Sequence, residues 1–429
     1  MTVNLLSYRE QQELEFIPAA KALSQQKYEV HFAKVHRGKD TSLPCFSISK
    51  LDELATNYRL KTSYFIGVDW IELNKTAIHV APKLNDENKE IDFIKMLFSS
   101  LGHPEVAKEI DELFEVKWDQ APIEIEQQQD LLTPFLVVEF LGLLKMIVKK
   151  GLKKSYYKVA QNLQGKVKGK ILVGKSIKKN VFQNKKRYTY CNYNEFGLNN
   201  KENRLLKKAL TFVKRYLPHY SQLTDNKDLQ NTFNYINPAF HAVSDEIELS
   251  EIKYSKTNSF YQEYKPALKL ARLILKRFGY TISNTVKDKI KTPPFWIDMS
   301  KLFELYILGL LKDRFHNQVQ YQYKYYGNEL DYLLKTVEYK MVIDAKYKVK
   351  YIDGQHNEDI RQVSGYARLR KIYEALELQQ GQIIDCLIIY PDQKNGVEDL
   401  TNIDLKRIEI PQYFDVYKLG IKLPIINNP

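Results

Sequence analysis

The chain has 429 residues, 44% of them hydrophobic, with 17 Gly and 15 Pro, which excludes a disordered or fibrous protein and leaves room for two or three cores. Three cysteines, Cys45, Cys191 and Cys386, lie far apart without a C-x-x-C, which argues against a disulfide framework or zinc knuckle and fits a reducing cytoplasm. The net charge of +13 is unevenly placed: Lys149 to Arg187 carries 14 Lys and Arg and no Asp or Glu, so the remainder nets −1. Such a stretch points to an anionic or acidic partner, either nucleic acid or an acidic protein surface.

The opening MTVNLLSYREQQELEF has no basic region followed by an apolar core, so no export signal is expected. YEVHFAKV (28–35) and TAIHVAPKL (76–84) alternate as strands do, and EIDFIKMLFSSLG (90–102) has a helical period. Residues 1–118 therefore read as an N-terminal α+β domain, closed by a polar, acidic connection at 119–130, DQAPIEIEQQQD. The longest apolar run, Leu131–Val148, contains Pro134, Glu139 and Lys145, which predicts a buried helix and no membrane span. It begins a mainly helical middle domain, 126–290, interrupted by strand-like and turn-like pieces of the basic segment 149–187.

A second boundary falls at KTPPFWIDMS (291–300), where Pro293 and Pro294 disfavour helix. Beyond it, 292–429 reads helix, strand, strand, helix, strand. The helix 301–315 places Leu302, Phe303, Tyr306, Leu310 and Leu311 on one face. YQYKYY, ELDYLL and YKMVIDAKYKVKY (339–351) follow as strands. A single helix is predicted over 358–376, and a continuous apolar strand over 382–391. That order predicts a central mixed sheet with helices on its faces, in a multidomain α/β protein.

The chemistry concentrates in this last region. Twelve residues separate Asp331 from Asp344, so adjacent strands of a hairpin can bring the two carboxylates side by side. Asp344 and Lys346 are two apart and share a face, with Ala345 pointing away. Two carboxylates and an ammonium on one face suit a Mg²⁺ site with a lysine that positions or helps deprotonate an attacking water, as phosphodiester hydrolysis requires. Gln362 and Tyr366, at i and i+4, share a face of the following helix, and Glu304 on the preceding helix offers a further carboxylate.

Residues 169–176, GKILVGKS, match the phosphate-cradling pattern G-x-x-x-x-G-K-[ST] as text. The physical context differs. The four x positions are Lys170, Ile171, Leu172 and Val173, a strand-forming run where a loose turn is needed, and QNLQGKVK precedes them in place of a buried strand. No nucleotide-binding residue is assigned here.

The pattern Asp331…Asp344-Ala345-Lys346 with Gln362-x-x-x-Tyr366 resembles the PD-(D/E)xK nuclease fold, specifically the McrC family, the nuclease subunits of modification-dependent restriction systems. The resemblance continues through 151–180, NKENRLLKKAL (200–210), VAPKL (80–84) and DFIKMLF (92–98). It departs at Glu329-Leu330, where many nucleases of this fold have Pro before the first Asp, and at Asn199, where relatives often have Asp. The resemblance implies Mg²⁺, or Mn²⁺ in its place, held by Asp331, Asp344 and Glu304, with Lys346 and Gln362 completing the catalytic set. It implies that the basic segment, through Lys170, Lys175, Lys178, Lys179 and Asn180, docks into a hexameric AAA+ GTPase of McrB type and stimulates it. GTP would then act through the partner, and the substrate would be DNA bearing modified cytosine. Two other classes remain open on the residues: an NTPase in its own right, and a non-catalytic DNA-binding or scaffold subunit.

Overall fold

The structure, a computed structural model, describes residues 3–16, 31–35, 44–50, 58–84, 90–100, 113–126, 132–216, 227–251, 259–281, 289–325, 328–348, 351, 357–379 and 381–426. The chain forms two compact units, residues 1–135 together with 284–429, and residues 136–283.

The first unit begins with β1 (Asn4–Arg9), β2 (Glu13–Phe16), β3 (His31–Val35), β4 (Pro44–Lys50), β5 (Tyr58–Thr62), β6 (Phe65–Glu72), β7 (Thr76–Ala81), β8 (Glu90–Ile91), α1 (Phe93–Ser100), β9 (Phe114–Val116) and β10 (Ile123–Glu126). Residues 28–30 of the first predicted strand lie outside the described residues. A four-stranded sheet runs β2-β5-β4-β3. β7 packs Ile78 and Val80 into one core with Phe46, Ile48 and Leu60, and Ala77 and His79, which alternate with them, are buried too, so the strand is covered on both faces where its sequence alternates.

The second unit takes up α2 (Leu132–Lys150) from Leu136 on, β11 (Ser155–Gln164), β12 (Lys170–Ile171), α3 (Val173–Ser176), a π-helical turn over Ile177–Val181, β13 (Tyr188–Gly197), α4 (Lys201–Tyr216), α5 (Lys227–Ile236) and α6 (Tyr264–Thr281). Pro134 falls in the first turn of α2, where a missing N–H costs no helical bond. β11 and β13 pair antiparallel in unbroken register from Ser155↔Gly197 to Gln164↔Tyr188, and β12 adds to the other side of β13. The hairpin they form carries the basic segment. Exposure alternates along much of β11, and Leu163, near its far end, is the one buried residue of the strand.

Returning to the first unit, the chain makes β14 (Lys289–Thr292), β15 (Phe295–Asp298), α7 (Met299–Phe315), β16 (Val319–Tyr325), β17 (Asn328–Lys335), β18 (Lys340–Ala345), α8 (Asn357–Tyr366), α9 (Arg370–Leu376), β19 (Asp385–Pro391), β20 (Val416–Ile421) and β21 (Ile425–Ile426). The mixed sheet runs β16-β17-β18-β19-β20, antiparallel through β18 and parallel from β18 to β20. Among the described residues no helix is long and apolar enough to cross a membrane.

Four local expectations need correction. The acidic connection at 119–130 contains β10, which pairs with β14. Its Ile123 and Ile125 are buried while Glu124 and Glu126 point outward, a period-two pattern beneath a polar composition. The expected break at 291–300 lies inside a sheet, because β15 inserts between β6 and β9 in the order β1-β7-β6-β15-β9. Gly67 makes that insertion sterically feasible: it pairs with Trp296 at φ +148, and a Cβ there would lie 2.1 Å from the Phe295 carbonyl oxygen. Helix α7 is buried on nearly every side, including Leu305, Ile307, Leu308 and Gly309, and does not present a single apolar stripe. The helix predicted over 358–376 is two helices, since Leu369 adopts an extended conformation and starts α9.

Candidate active site

β17 and β18 pair through Tyr332↔Ile343 and Leu333↔Val342. One further step of that register sets Asp331 opposite Asp344, on the face where Leu333 and Val342 pack against Ile360 and Val363 of α8. The two carboxylates thus stand where an apolar core gives way to solvent. Asp331 accepts a hydrogen bond from the Ala345 N–H at 2.8 Å, which ties the two strand ends together. The Lys346 ammonium lies 2.8 Å from Asp344 Oδ2 and donates to Gln362 Oε1 at 3.0 Å. Gln362 in turn donates to the Tyr366 hydroxyl at 2.8 Å. Tyr366 is partly buried against the core below α8, so it anchors the glutamine from beneath.

Asp344 is almost completely buried. Its Oδ2 is close to the ammonium in distance, yet it has no hydrogen-bond donor in aligned geometry. An underbonded carboxylate oxygen beside a second carboxylate is a donor set that fits a hard divalent cation. Glu304 comes from α7, whose N-cap is Asp298, accepting from the Lys301 N–H at 3.0 Å. Its carboxylate sits 3.4 Å from Lys301 Nζ, and Lys301 also donates to the Tyr321 hydroxyl at 2.7 Å. Tyr332 fixes this helix to β17 through a bond from its hydroxyl to the Glu304 carbonyl at 2.5 Å. Among the described residues, no three His, Cys, Asp or Glu side chains converge closely enough to hold a metal ion. Asp331 and Asp344 are therefore brought together, and Glu304 is brought into their field but turned toward Lys301.

Burial raises the Asp331 carboxyl well above the usual carboxylate range, with the charges of Asp344 and Glu304 adding to the effect. Lys346 and the Ala345 N–H oppose it. Glu304 is raised mainly by burial and also by Asp344, against Lys301 and Tyr321. For Lys346, burial disfavours the ammonium, but its contact with Asp344 and the nearby charge of Asp331 outweigh that and raise its pKa. The site is a buried cluster of like charges held by two lysines, an arrangement concentrated at functional sites.

The predicted docking residues separate into two groups. Lys170 on β12, Lys175 on α3, and Lys178 and Lys179 on the π-helical turn are exposed. Asn180 is buried: its side chain exchanges hydrogen bonds with that of Asn162 at 2.9 and 2.8 Å and donates to the Tyr188 carbonyl at 2.9 Å. It braces the hairpin and has no face to offer a partner. In GKILVGKS, Lys170 and Ile171 pair with β13 and Val173–Ser176 form one short helical turn. The Ser176 hydroxyl accepts from the Tyr190 N–H at 2.9 Å. Gly169, at φ +69, allows β13 to approach, since a Cβ there would lie 2.5 Å from the Asn192 carbonyl oxygen.

Sequence reasoning missed Lys301, Tyr321 and Tyr332. The i, i+3 spacing of Lys301 and Glu304 was a usable local sign. The two tyrosines reach α7 through pairing that no local pattern announces.

The arrangement sets two carboxylates beside a lysine at the end of adjacent strands of a mixed sheet. The family model described as McrBC 5-methylcytosine restriction system component matches residues 60–391, and the chain belongs to that family. None of the curated proteins matches it. Two solved structures are similar. One is a chain of the half-complex from the tetradecameric assembly of Thermococcus gammatolerans McrB AAA+ hexamers with bound McrC, 16% identical over 97% of this chain and 94% of that one, with a TM-score of 0.40. The other is a chain of the Thermococcus gammatolerans McrBC complex, 16% identical over 72% of this chain and 87% of that one, with a TM-score of 0.30.

Proposed function

We propose that this chain is the DNA-cleaving subunit of a cytoplasmic, GTP-driven restriction complex that acts on DNA bearing modified cytosine. The observation that carries this reading is the meeting of Asp331, Asp344 and Lys346 on one sheet face with Gln362 above the lysine. The order of the mixed sheet, with α7 before it and α8 after β18, supports a PD-(D/E)xK nuclease domain. Family membership supports the substrate class.

Asp331 and Asp344 would hold Mg²⁺, with Mn²⁺ as a substitute, and Glu304 would be the third carboxylate once it releases Lys301. Bound there, the cation supplies positive charge to the phosphate oxygens and lowers the cost of forming hydroxide. The protein's own part is positional. Lys346, held by Gln362 and Asp344, presents N–H donors to a water and to the phosphate oxygen on which charge develops. The apolar residues beneath Asp344 exclude bulk water and strengthen these interactions.

The basic hairpin is the docking element for a hexameric AAA+ GTPase of McrB type. Its end is exposed, carries Lys170, Lys175, Lys178 and Lys179, and displays Val181 and Phe182 to solvent, so it offers both charge and apolar anchors. GTP binding and hydrolysis belong to that partner.

The test is Mg²⁺-dependent cleavage of a methylated plasmid by this chain with its neighbouring-encoded GTPase and GTP, comparing wild type with Asp344→Ala. Loss of cleavage in the variant with unchanged GTP turnover is expected. Equal cutting by both proteins would move the active site elsewhere. Cutting by neither, on DNA that another enzyme of this kind cleaves, would favour a scaffold.

A further inference from the structure

The strand that carries Asp344 ends in a turn, and that turn is held from outside the mixed sheet. Lys346 N–H donates to the Ile389 carbonyl at 2.8 Å, and Lys348 N–H donates back to the Lys346 carbonyl at 2.7 Å. An i to i+2 bond of this kind is a γ-turn, centred here on Tyr347. Tyr347 is buried, with its ring 5.7 Å from that of Phe303, the neighbour of Glu304 on α7.

β1 and β7 run parallel, in register to Arg9↔Ala81, and so deliver Glu10 and Lys83 to the same end of the N-terminal sheet. Both reach Tyr347. Its hydroxyl donates to Glu10 Oε1 at 2.8 Å, and the same oxygen accepts from the Lys83 N–H at 3.0 Å. The Lys83 ammonium donates to the Tyr347 carbonyl at 2.7 Å and lies 3.7 Å from the centre of its ring. Gln11 Oε1 takes another of its protons at 3.0 Å. Glu10 is fully buried, and its second carboxylate oxygen is without a hydrogen-bond donor among the described residues. A buried carboxylate and a largely desolvated ammonium are costly to keep in an interior unless their contacts are retained. Here the Glu10 carboxylate and the Lys83 ammonium both bond to one residue, the neighbour of Lys346.

We infer that Glu10 and Lys83 are positioning residues for the site on the mixed sheet: they grip Tyr347 at its hydroxyl, ring and carbonyl, and through it fix where Lys346 stands over Asp344. The inference rests on the reading of Lys346 as part of a phosphodiester-cleaving centre. It gives the N-terminal sheet a catalytic consequence, since a shift of that sheet would move the lysine. Misplacement of a reacting group by about 1 Å costs on the order of 10²-fold in rate.

The test uses the full chain and two readouts. Amide hydrogen exchange of the peptide covering 346–348 reports the turn, with 385–391 on β19 as internal reference. Cleavage kinetics with the partner and GTP report the chemistry. Tyr347→Phe removes one hydroxyl and nothing else, so it keeps the test informative if Lys83→Met does not fold. Both variants should raise exchange at 346–348 about tenfold over the reference and lower kcat by roughly 10- to 100-fold at unchanged KM for DNA. Glu10→Gln keeps the acceptor oxygen and should retain most of the wild-type rate. Unchanged exchange at 346–348 in both variants overturns the inference whatever the cleavage result. Raised exchange with wild-type cleavage overturns the positioning role. Raised exchange in variants of a chain whose wild type cuts no DNA sustains the clamp and instead overturns the nuclease reading.

Discussion

Lysine is used in opposite ways in the two units. At the site on the mixed sheet, Lys346 and Lys301 are mostly covered, and each faces a carboxylate, Asp344 at 2.8 Å and Glu304 at 3.4 Å. Along the hairpin of the other unit, the lysines and Arg187 between Lys158 and Arg187 are exposed, and among the described residues none of them is in an ion pair. The apolar residues follow the same division. Val342 and Ile343, the two residues before Asp344 on β18, are fully buried, whereas Phe182 is 81% exposed and Val181 62%. Charge already compensated inside a low-dielectric site acts on what enters that site. Charge left open reaches outward over about a Debye length and steers association, and exposed aromatic surface beside it supplies anchoring area. On the proposed function, the first region serves chemistry and the second contact.

The sharpest way to break that division is to remove the chemistry alone. Asp344→Ala should lower Mg²⁺-dependent cleavage by roughly 10³-fold or more, the scale on which removal of one electrostatic stabiliser is felt, while the partner's GTP turnover is untouched. A steady-state cleavage assay run beside a phosphate-release assay checks both halves. A fall in GTP turnover would mean that the two regions are not separable.

The reciprocal experiment acts on the hairpin. Phe182→Ala combined with charge reversal at Lys178 and Lys179 should weaken association with the GTPase by about 10²-fold, the worth of one anchor and two steering charges, and its loss should shrink as salt rises. Asn180→Ala is a control of another kind. It leaves Asn162 without its partner inside the hairpin and should lower stability by about 1–3 kcal/mol, with docking lost only through unfolding. Thermal melting of the second unit separates the two effects. A hairpin that melts normally and still fails to dock would return Asn180 to the contact surface.

How far these regions could be read in the sequence follows from the range of the interactions. Asp344 and Lys346 are legible because a strand repeats every two residues, and Asp331 because a short hairpin fixes its partner. The lack of acid between Lys149 and Arg187 is legible as composition. Asn180 was misread because a basic run suggests exposure for each of its members, whereas a reciprocal amide pair with Asn162 depends on the register of a hairpin. β15 was missed for a related reason. Its apolar residues, Phe295 to Ile297, pair with β6 more than 200 positions away, and Pro293 and Pro294 concealed them as a boundary. Glu10, Lys83 and Tyr347 could not be joined by any local pattern at all.

Gln362 tests the site from its edge. It touches Lys346 without belonging to the carboxylate pair, so Gln362→Ala should cost about tenfold in cleavage, the lower end of what supporting-shell residues contribute. Gln362→Glu should place a further negative charge beside Lys346 and reduce the rate more. Equal rates in wild type and both variants would remove the glutamine from the site and leave the lysine held by Asp344.

The smallest effect concerns stability and runs opposite to function. The folded-state pKa of Asp331 is raised above its ordinary value, chiefly by burial and then by Asp344 and Glu304. A group of this kind contributes its stability fully below the ordinary carboxylate range and loses it as pH rises through the raised folded value. At pH 8, whether it keeps a proton or carries a charge in the folded state, Asp331 therefore works against folding in the chain without a cation. Asp331→Asn removes the titrating group and keeps an oxygen for the Ala345 N–H, so the variant should melt higher than wild type at pH 8, by about 2–4 °C if roughly 1 kcal/mol is recovered. At pH 4 the difference should shrink toward zero. Added Mg²⁺ should reverse the order at pH 8, since a cation bound to the folded state stabilises the wild type by mass action and finds one carboxylate fewer in the variant. A variant that melts lower at pH 8 without Mg²⁺ would show that the compensation by Lys346 exceeds the repulsion. The like-charge strain attributed to this site, and with it the contrast to the open hairpin, would then be wrong.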